Sequence, residues 1–346
     1  MNHEYTQQLL KIETELKRWL PENPDSIWAA KVFSDIAENA DVGSLRFLIN
    51  PLRELLFRGG KRWRPLLMTL ICETLNGGDA AIPLSPILEF SHNASLIHDD
   101  IEDESDERRG KPAVHKIFGV DTAVNSASFF YFLASKCIDL CSFENKERIY
   151  KMWLECMRRL HLGQAMDINW HRNITAVPSM EDYFLMCRLK TGSLARLSTE
   201  LGAFAAGAPD EVMRFLGDAA DMMGIGFQIL DDVKNLTTGI PGKKRGDDVV
   251  EGKKGLPVLL YMHKYPEKRE KIFYYFHEAK RGGTAAPEVE ELINTLYSAG
   301  VFDEAEEKGR SFLRETKEIF ASHQFSGMSL NEHSHTLLEG FIKLIS

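Results

Sequence analysis

Long segments of the chain carry apolar residues at alternating three- and four-residue spacing, separated by glycine and proline punctuation at Gly59-Gly60, Gly77-Gly78, Gly110 to Pro112, Pro178, Pro209, Gly239 to Gly242, Gly282-Gly283 and Gly300. From Ile87 to Asp103 the residues Ile87, Phe90, Ala94, Ile97 and Ile101 repeat at 3, 4, 3, 4, the spacing of one buried helix face. Strand-like alternation is scarce. Usual helix and connection lengths predict an all-α chain of about ten or more helices. No composition shift, repeat or low-complexity tract divides it, so a single domain over 1–346 is expected. The acidic run from Asp303 to Glu307 reads as a solvated helix face.

The periodic helix ends in Asp99-Asp100-Ile101-Glu102-Asp103. Asp99 and Asp103 are four apart and share a face, and His92, seven residues before Asp99, lies on the same stripe about 10 Å away along the axis. A second cluster, Asp231-Asp232-Val233-Lys234-Asn235, follows Gln228, and Gln228, Asp231, Asp232 and Asn235 again share helical spacing. These two oxygen-rich helices are expected to face each other. Stacked carboxylates repel, by about 1 kcal/mol at 4 Å in water and several times more in a drier site, and so call for a cation. Oxygen ligands favour a hard divalent ion, above all Mg²⁺ held by a few carboxylates and by substrate phosphates. One DDxxD string alone is weak evidence, since roughly 0.07 are expected by chance in this length and an exposed acidic helix end explains it equally well.

Cations answer these carboxylates. Lys61, Arg62 and Arg64 follow a glycine pair and precede a helix start marked by Pro65; Arg108, Arg109 and Lys111 follow the first cluster; Lys190-Thr191-Gly192 lies in a helical segment; and Lys243, Lys244, Arg245 and Lys253 follow the second cluster. Arginine forks and lysine point charges suit phosphate oxygens. Singly, each group reads as ordinary surface charge. In this order they point to a metal-bound pyrophosphate and a second, metal-independent one.

Charge narrows the partners. With 42 Lys and Arg against 51 Asp and Glu the net charge is -9, the wrong sign for binding nucleic acid or an anionic membrane surface. Five cysteines without C-x-x-C pairing fit a reducing compartment rather than a disulfide framework or a zinc site. The polar, acidic start lacks the features of a signal or transit peptide, and no apolar run approaches the roughly 20 residues that span a bilayer. A cytoplasmic protein with no stable membrane insertion is expected.

The motifs GGKRWRP, a His seven before DDIED, RRGKP, GQAMD, KTGSL, FQILDD and GKKRGDD…EGKKGLP occur in one order over about 59–257. In that order the chain resembles the trans-isoprenyl diphosphate synthases of the polyprenyl synthetase family. The resemblance implies the all-α isoprenoid synthase fold, a helical bundle around a deep central cavity, and a homodimer. It assigns Asp99, Asp103 and Asp231 to Mg²⁺, three ions per site with substrate bound. It gives the allylic diphosphate to Arg108, Lys190, Thr191, Gln228, Lys243 and Lys253, and isopentenyl diphosphate to Lys61, Arg64, His92 and Arg109. Lys244 stands beside Lys243 as a second candidate. The family's last motif aspartate is here Asn235, which keeps an oxygen ligand and removes a charge.

The implied reaction is head-to-tail condensation of isopentenyl diphosphate with a C5 to C15 allylic diphosphate, in which the catalytic group (Asp99, Asp103, Asp231, Lys190, Thr191, Gln228) serves ionisation and the released pyrophosphate is a candidate base. Chain length is expected to be set below Asp99, where Ala94 and Ser95 are small and supply no floor; Phe129, Phe130 and Phe132 are candidates for a deeper one, or for ordinary core packing. The segments HNASL, IED and VNSASFFYF resemble geranylgeranyl diphosphate synthases, so C20 is favoured over C25 to C50. A terpene cyclase would not need the second phosphate site. A non-catalytic subunit of a heteromeric synthase would be expected to have lost one or both aspartate motifs, and here both remain.

Overall fold

The computed structural model describes residues 5–34, 41–239, 244–322 and 328–345. The chain is all-α, as the apolar spacing predicts. In order come α1 (Thr6–Trp19), α2 (Ser26–Phe33), α3 (Val42–Leu56), α4 (Trp63–Thr74), α5 (Ser85–Glu102), α6 (Val114–Phe118), α7 (Val120–Leu140) and α8 (Lys146–Arg172). They are followed by α9 (Met180–Cys187), α10 (Ser193–Ala205), α11 (Asp210–Leu236), α12 (Asp247–Glu251), α13 (Leu256–Lys264), α14 (Arg269–Gly282), α15 (Pro287–Ser298), α16 (Val301–Ala321) and α17 (Glu332–Ile345). The start signals are local: the Asp25 and Asp41 side chains cap α2 and α3, and Ser179 with Asp182 forms a capping box on α9. Among the described residues the strands are two residues each, β1 (Glu107–Arg108) and β2 (Lys111–Pro112), paired antiparallel. No helix among the described residues is long and apolar enough to cross a membrane.

The chain divides into two compact units, one of 1–155, 197–214 and 323–344, the other of 156–196, 215–322 and 345–346. In the first unit α5 packs against α1, α3, α4, α6 and α7. Ile87, Phe90, Ala94 and Ile97 are fully buried, and Ile101 is half-buried at the open end. Full burial of each of Ile87, Phe90 and Ile97 contributes about 1.5–3 kcal/mol of hydrophobic stabilisation. The other stripe of α5, formed by His92, Ser95, Leu96, Asp99 and Asp103, is half-buried. The acidic helix end therefore lies on the face that packing leaves open.

The α7 aromatics divide. Phe130 is fully buried and stacks on Phe90 at 4.5 Å, and Phe129 stacks on Phe33 at 5.2 Å. Phe132 is 69% exposed and cannot close a tunnel, which corrects the expectation that grouped it with the other two. Two residues along a helix is a rotation of about 200°, enough to turn it away from Phe130.

The second unit has its own core, in which Tyr183, Ile229, Leu259, Tyr275, Phe276 and Leu292 bring together α9, α11, α13, α14 and α15. In the acidic run at the start of α16, Asp303, Glu304 and Glu307 are exposed, Glu306 is half-buried and Ala305 is buried, and Glu304, Glu306 and Glu307 pair with Lys264, Arg310 and Arg314.

Candidate active site

In the first unit two unusual backbone segments aim the cations. Ahead of α4, Gly59, Gly60 and Arg62 all have positive φ (104°, 138° and 48°), turning the chain so that Lys61 is exposed while Arg64 is buried in the first helical turn, its guanidinium 4.2 Å from the Trp63 ring. Between β1 and β2, Arg109 and Gly110 (φ 54° and 72°) form a two-residue hairpin loop with both central residues left-handed. For an arginine this conformation costs about 1 kcal/mol or more, strain that clusters at functional sites.

The hairpin sends its arginines to different partners. Arg108 Nε donates to Asp100 Oδ1 at 2.8 Å and its Nη2 to Asp99 Oδ2 at 3.4 Å. Asp100 is fully buried, so it anchors Arg108 to α5 while Asp99 stays on the open stripe. Burial opposes the Arg108 charge, but Asp100 and then Asp99 outweigh it and raise its pKa. Arg109 Nη1 donates to the carbonyls of Leu55 (3.1 Å) and Gly59 (2.7 Å). Burial, with Arg62, Arg108 and Arg58 nearby and only Glu89 opposing, lowers the Arg109 pKa to about 10. His92 is held well below its ordinary value by burial and by Arg64, Arg109, Arg108 and Arg62. A neutral imidazole among guanidinium groups is an electropositive cluster that an anion would relieve.

In the second unit the helical path from α9 to α10 runs through a single π-turn, Arg188–Gly192, that carries Lys190 and Thr191. Lys190 Nζ donates to Asp167 Oδ2 at 2.6 Å. Burial would raise the Asp167 carboxyl, but Lys190 and Lys253 outweigh it and hold it below the usual range. Thr191 Oγ1 donates to Gln228 Oε1 (2.7 Å), and Gln228 Nε2 donates to Asp232 Oδ1 (2.9 Å). Asp232 Oδ2 also accepts from the Tyr183 hydroxyl (2.6 Å) and the Leu256 N–H (3.0 Å). Burial pushes Asp232 up to about 6 in spite of these three donors. Asp232 thus faces inward while its neighbour Asp231 is half-buried.

Asn235 is buried, and its Oδ1 accepts from the Asp248 N–H at 3.3 Å while its carbonyl accepts from the Gly246 N–H at 3.0 Å. It holds the start of α12 rather than standing open as a ligand. Of the basic loop, Lys243 lies outside the described residues; Lys244 is exposed, Arg245 pairs with Glu290, and Lys253 pairs with Glu251 at 2.5 Å.

The family model described as polyprenyl synthetase matches residues 46–296, well over half of the chain. The chain belongs to the polyprenyl synthetase family. It is 32% identical over 277 residues to the geranylfarnesyl diphosphate synthase of Aeropyrum pernix, covering 77% of this chain and 85% of that one. To the geranylgeranyl diphosphate synthase of Methanosarcina mazei it is 33% identical over 276 residues, covering 77% and 81%. Among solved structures, the geranylgeranyl pyrophosphate synthetase from Pyrococcus horikoshii superposes with a TM-score of 0.80 at 26% identity, over 98% of this chain and 95% of that one. The all-α isoprenoid synthase fold and the trans-prenyltransferase class read from the motifs are thereby borne out.

For this polyprenyl synthetase the motif residues divide into those turned to the open faces and those that support them from behind. The supporting ones carried no assignment from sequence: Asp100 under Arg108, Asp167 under Lys190, Asp232 and Tyr183 under Gln228, and Asp221, which accepts from Arg159 (2.9 Å) and Arg196 (3.0 Å). Asp167 was visible within GQAMD but not as the partner of a lysine 23 residues on. No three His, Cys, Asp or Glu side chains among the described residues form a ready cage for a metal. Carboxylates one helical turn apart, such as Asp99 and Asp103, fit Mg²⁺, which keeps several waters and takes its remaining ligands from substrate phosphates.

Lys254 offers a separate check of the second unit. The residue is 3% exposed, and its ammonium lies 4.3 Å from the Phe276 ring and donates to the Gly252 carbonyl at 2.9 Å. Burial lowers its pKa to about 8, with Asp167 opposing. The unfolded chain holds this proton up to about 10.4. Stability attached to Lys254 is therefore lost as pH falls through 8 and gained as it rises toward 10.4. Relative to Lys254→Met, the wild type gains about 3 kcal/mol between these limits, as read from urea midpoints at several pH values. A constant difference across that window would contradict the burial.

Proposed function

We propose that this polyprenyl synthetase condenses isopentenyl diphosphate head-to-tail with an allylic diphosphate of C5 to C15, releasing pyrophosphate and forming geranylgeranyl diphosphate (C20). The observation that carries this reading is the cluster of cations around His92, with Arg109 held to Gly59 and to Asn93 beside it and Arg64 buried in the first turn of α4, on the same stripe of α5 as the carboxylates of Asp99 and Asp103. A second, metal-independent anion pocket distinguishes a condensing enzyme from one that only ionises a single diphosphate.

In this reading Lys61, Arg64, His92 and Arg109 hold the diphosphate of isopentenyl diphosphate. Arg108, Lys190, Thr191, Gln228, Lys243 and Lys253 hold the allylic diphosphate, and Asp99, Asp103 and Asp231 would hold Mg²⁺, three ions per site. When bound, Mg²⁺ acts as a Lewis acid on the leaving pyrophosphate oxygens. Arg108 and Lys190 add fixed positive charge where negative charge develops, each pre-set by its own aspartate, so little reorganisation accompanies ionisation. The Thr191 hydroxyl hydrogen is spent on Gln228, which leaves the oxygen lone pairs as a dipole toward a carbocation. The double bond of isopentenyl diphosphate then attacks the allyl cation, and loss of a proton, with the departed pyrophosphate as base, restores an allylic product. We assign the whole chain, 1–346, to this one activity, as a homodimer in the cytoplasm.

Chain length rests on the stripe below Asp99. Ser95 is half-buried about 6 Å below Asp99 along the axis, whereas Ala94 is fully buried in the core. Phe130 and Phe129, locked by stacking, are the candidates for a deeper floor. The test incubates the protein with Mg²⁺, labelled isopentenyl diphosphate and, separately, C5, C10 and C15 allylic diphosphates, and sizes the products by mass spectrometry. A C20 product is expected from the wild type. Ser95→Phe is expected to stop at C15, and Ala94→Phe to cost about 1–3 kcal/mol through overpacking. A C25 product would favour the reading suggested by the Aeropyrum pernix relative's name. No condensation with any starter overturns the proposal.

A further inference from the structure

A continuous hydrogen-bonded chain runs from α1 to Arg109 and begins outside the family match. Glu13, on α1, lies well before residue 46, where that match starts. Its Oε1 accepts from Arg62 Nε at 2.6 Å. Arg62 Nη1 donates to Glu89 Oε2 at 2.9 Å and its Nη2 to the Leu56 carbonyl at 2.6 Å. Asn93 Nδ2 donates to the Glu89 carbonyl (2.7 Å) and to Glu89 Oε2 (3.3 Å), and Asn93 Oδ1 accepts from Arg109 Nη1 at 3.4 Å.

Arg62, Glu89 and Asn93 are each less than 5% exposed, so each depends on its protein partners. All three polar nitrogens of Arg62 are engaged, and its charge is bracketed by two carboxylates. It is therefore not an anion ligand like Arg64 and Arg109. Its backbone is left-handed at the junction between Lys61 and α4, while its side chain is tied to Glu13 and Glu89. Glu89 is shared, since it is also the carboxylate that opposes the loss of charge on Arg109. With Glu13 satisfying Arg62 from one side, Glu89 remains able to act on Asn93 and Arg109.

We propose that Glu13 and Arg62 are positioning residues for the isopentenyl diphosphate pocket, so that α1 sets the placement of Lys61, Arg64 and Arg109 without touching substrate. This rests on the assignment of Lys61, Arg64, His92 and Arg109 to that diphosphate.

The test compares Glu13→Ala, Glu13→Gln and Arg109→Gln in the full-length protein, measuring KM for each substrate, kcat and the melting midpoint. Arg62→Ala is avoided because an unpaired buried Glu89 threatens folding. Glu13→Ala is expected to raise KM for isopentenyl diphosphate about three- to tenfold, the loss of one charge-assisted hydrogen bond. KM for the allylic substrate stays within about twofold, and Glu13→Gln, which keeps an acceptor but not the charge, recovers part of the loss. A lower midpoint with unchanged KM for isopentenyl diphosphate overturns the proposal, as does an equal rise for both substrates. Arg109→Gln separates the two levels. If it fails to raise KM for isopentenyl diphosphate, the assignment of the pocket is wrong and the proposal falls with it; if it raises KM while Glu13→Ala does not, the proposal alone fails.

Discussion

Asp99→Asn is expected to lower kcat about a hundredfold or more while leaving metal-free stability within about 1 kcal/mol, and Asp100→Asn to cost about 3 kcal/mol of stability with the smaller effect on turnover. The two residues are adjacent and chemically identical, so the contrast isolates position on the helix. Asp99 is half-buried on the open stripe and shares a face with Asp103; removing its charge relieves a repulsion of a few tenths of a kcal/mol and gives up a 3.4 Å contact with Arg108. These small effects nearly cancel without metal. With substrate and Mg²⁺ the same substitution removes a carboxylate from the proposed ion site, where charge develops as the C–O bond breaks. Asp100 is fully buried and is the principal carboxylate facing the half-buried Arg108 guanidinium, so neutralising it exchanges the strongest charge pairing of Arg108 for the longer 3.4 Å contact with Asp99. Turnover at saturating substrate and Mg²⁺, set beside urea denaturation in EDTA, checks both. An Asp99→Asn protein that keeps more than a tenth of wild-type turnover would remove Asp99 from the metal site.

That contrast also shows what the sequence discloses. The 3-4 repeat from Ile87 to Ile101 is legible because one helix face is buried, and the structure buries Ile87, Phe90, Ala94 and Ile97, with Ile101 half-buried at the open end. The same phase makes Asp100 readable in principle, since it continues the buried line of Asn93 and Ile97. The DDxxD spacing draws attention to Asp99 and Asp103 and away from it. The β1–β2 hairpin is not legible, because two-residue strands produce no alternation; RRGKP shows its cations but not that Arg109 adopts a left-handed backbone. Arg62 looks like one more phosphate ligand beside Lys61 and Arg64, and only the coordinates show its charge consumed by Glu13 and Glu89. Such pairings join residues 27 to 49 positions apart, and no local pattern encodes them.

The π-turn is the other illegible feature, and it carries the second large prediction. Widening a helix by one residue per turn leaves no compositional mark, yet Arg188–Gly192 sits between two glycines that are themselves visible. A Cβ on Gly224 would stand 2.4 Å from Gly192 Cα and 2.6 Å from Gly192 N, and a Cβ on Gly163 would stand 2.4 Å from Lys190 N. These obstacles are backbone and cannot rotate away, so Gly224→Ala must displace the turn. Lys190–Asp167 at 2.6 Å and Thr191–Gln228 at 2.7 Å tolerate little displacement. If Lys190 and Thr191 act as proposed, Gly224→Ala is therefore expected to lower kcat about a hundredfold, the scale of loss that misplacing a catalytic group by about 1 Å can cause, and to cost about 1–3 kcal/mol. Gly226→Ala is the matched control: it lies two residues on in α11, and its Cβ would meet the Gly309 carbonyl oxygen at 2.8 Å and the Leu313 side chain. Overpacking there is expected to cost similar stability with far less turnover, because the strain falls on α16 rather than on the π-turn. Turnover measured below both melting midpoints distinguishes the two variants. Equal losses of activity would mean that general loosening of α11, and not the seat of the π-turn, governs how Lys190 and Thr191 are presented.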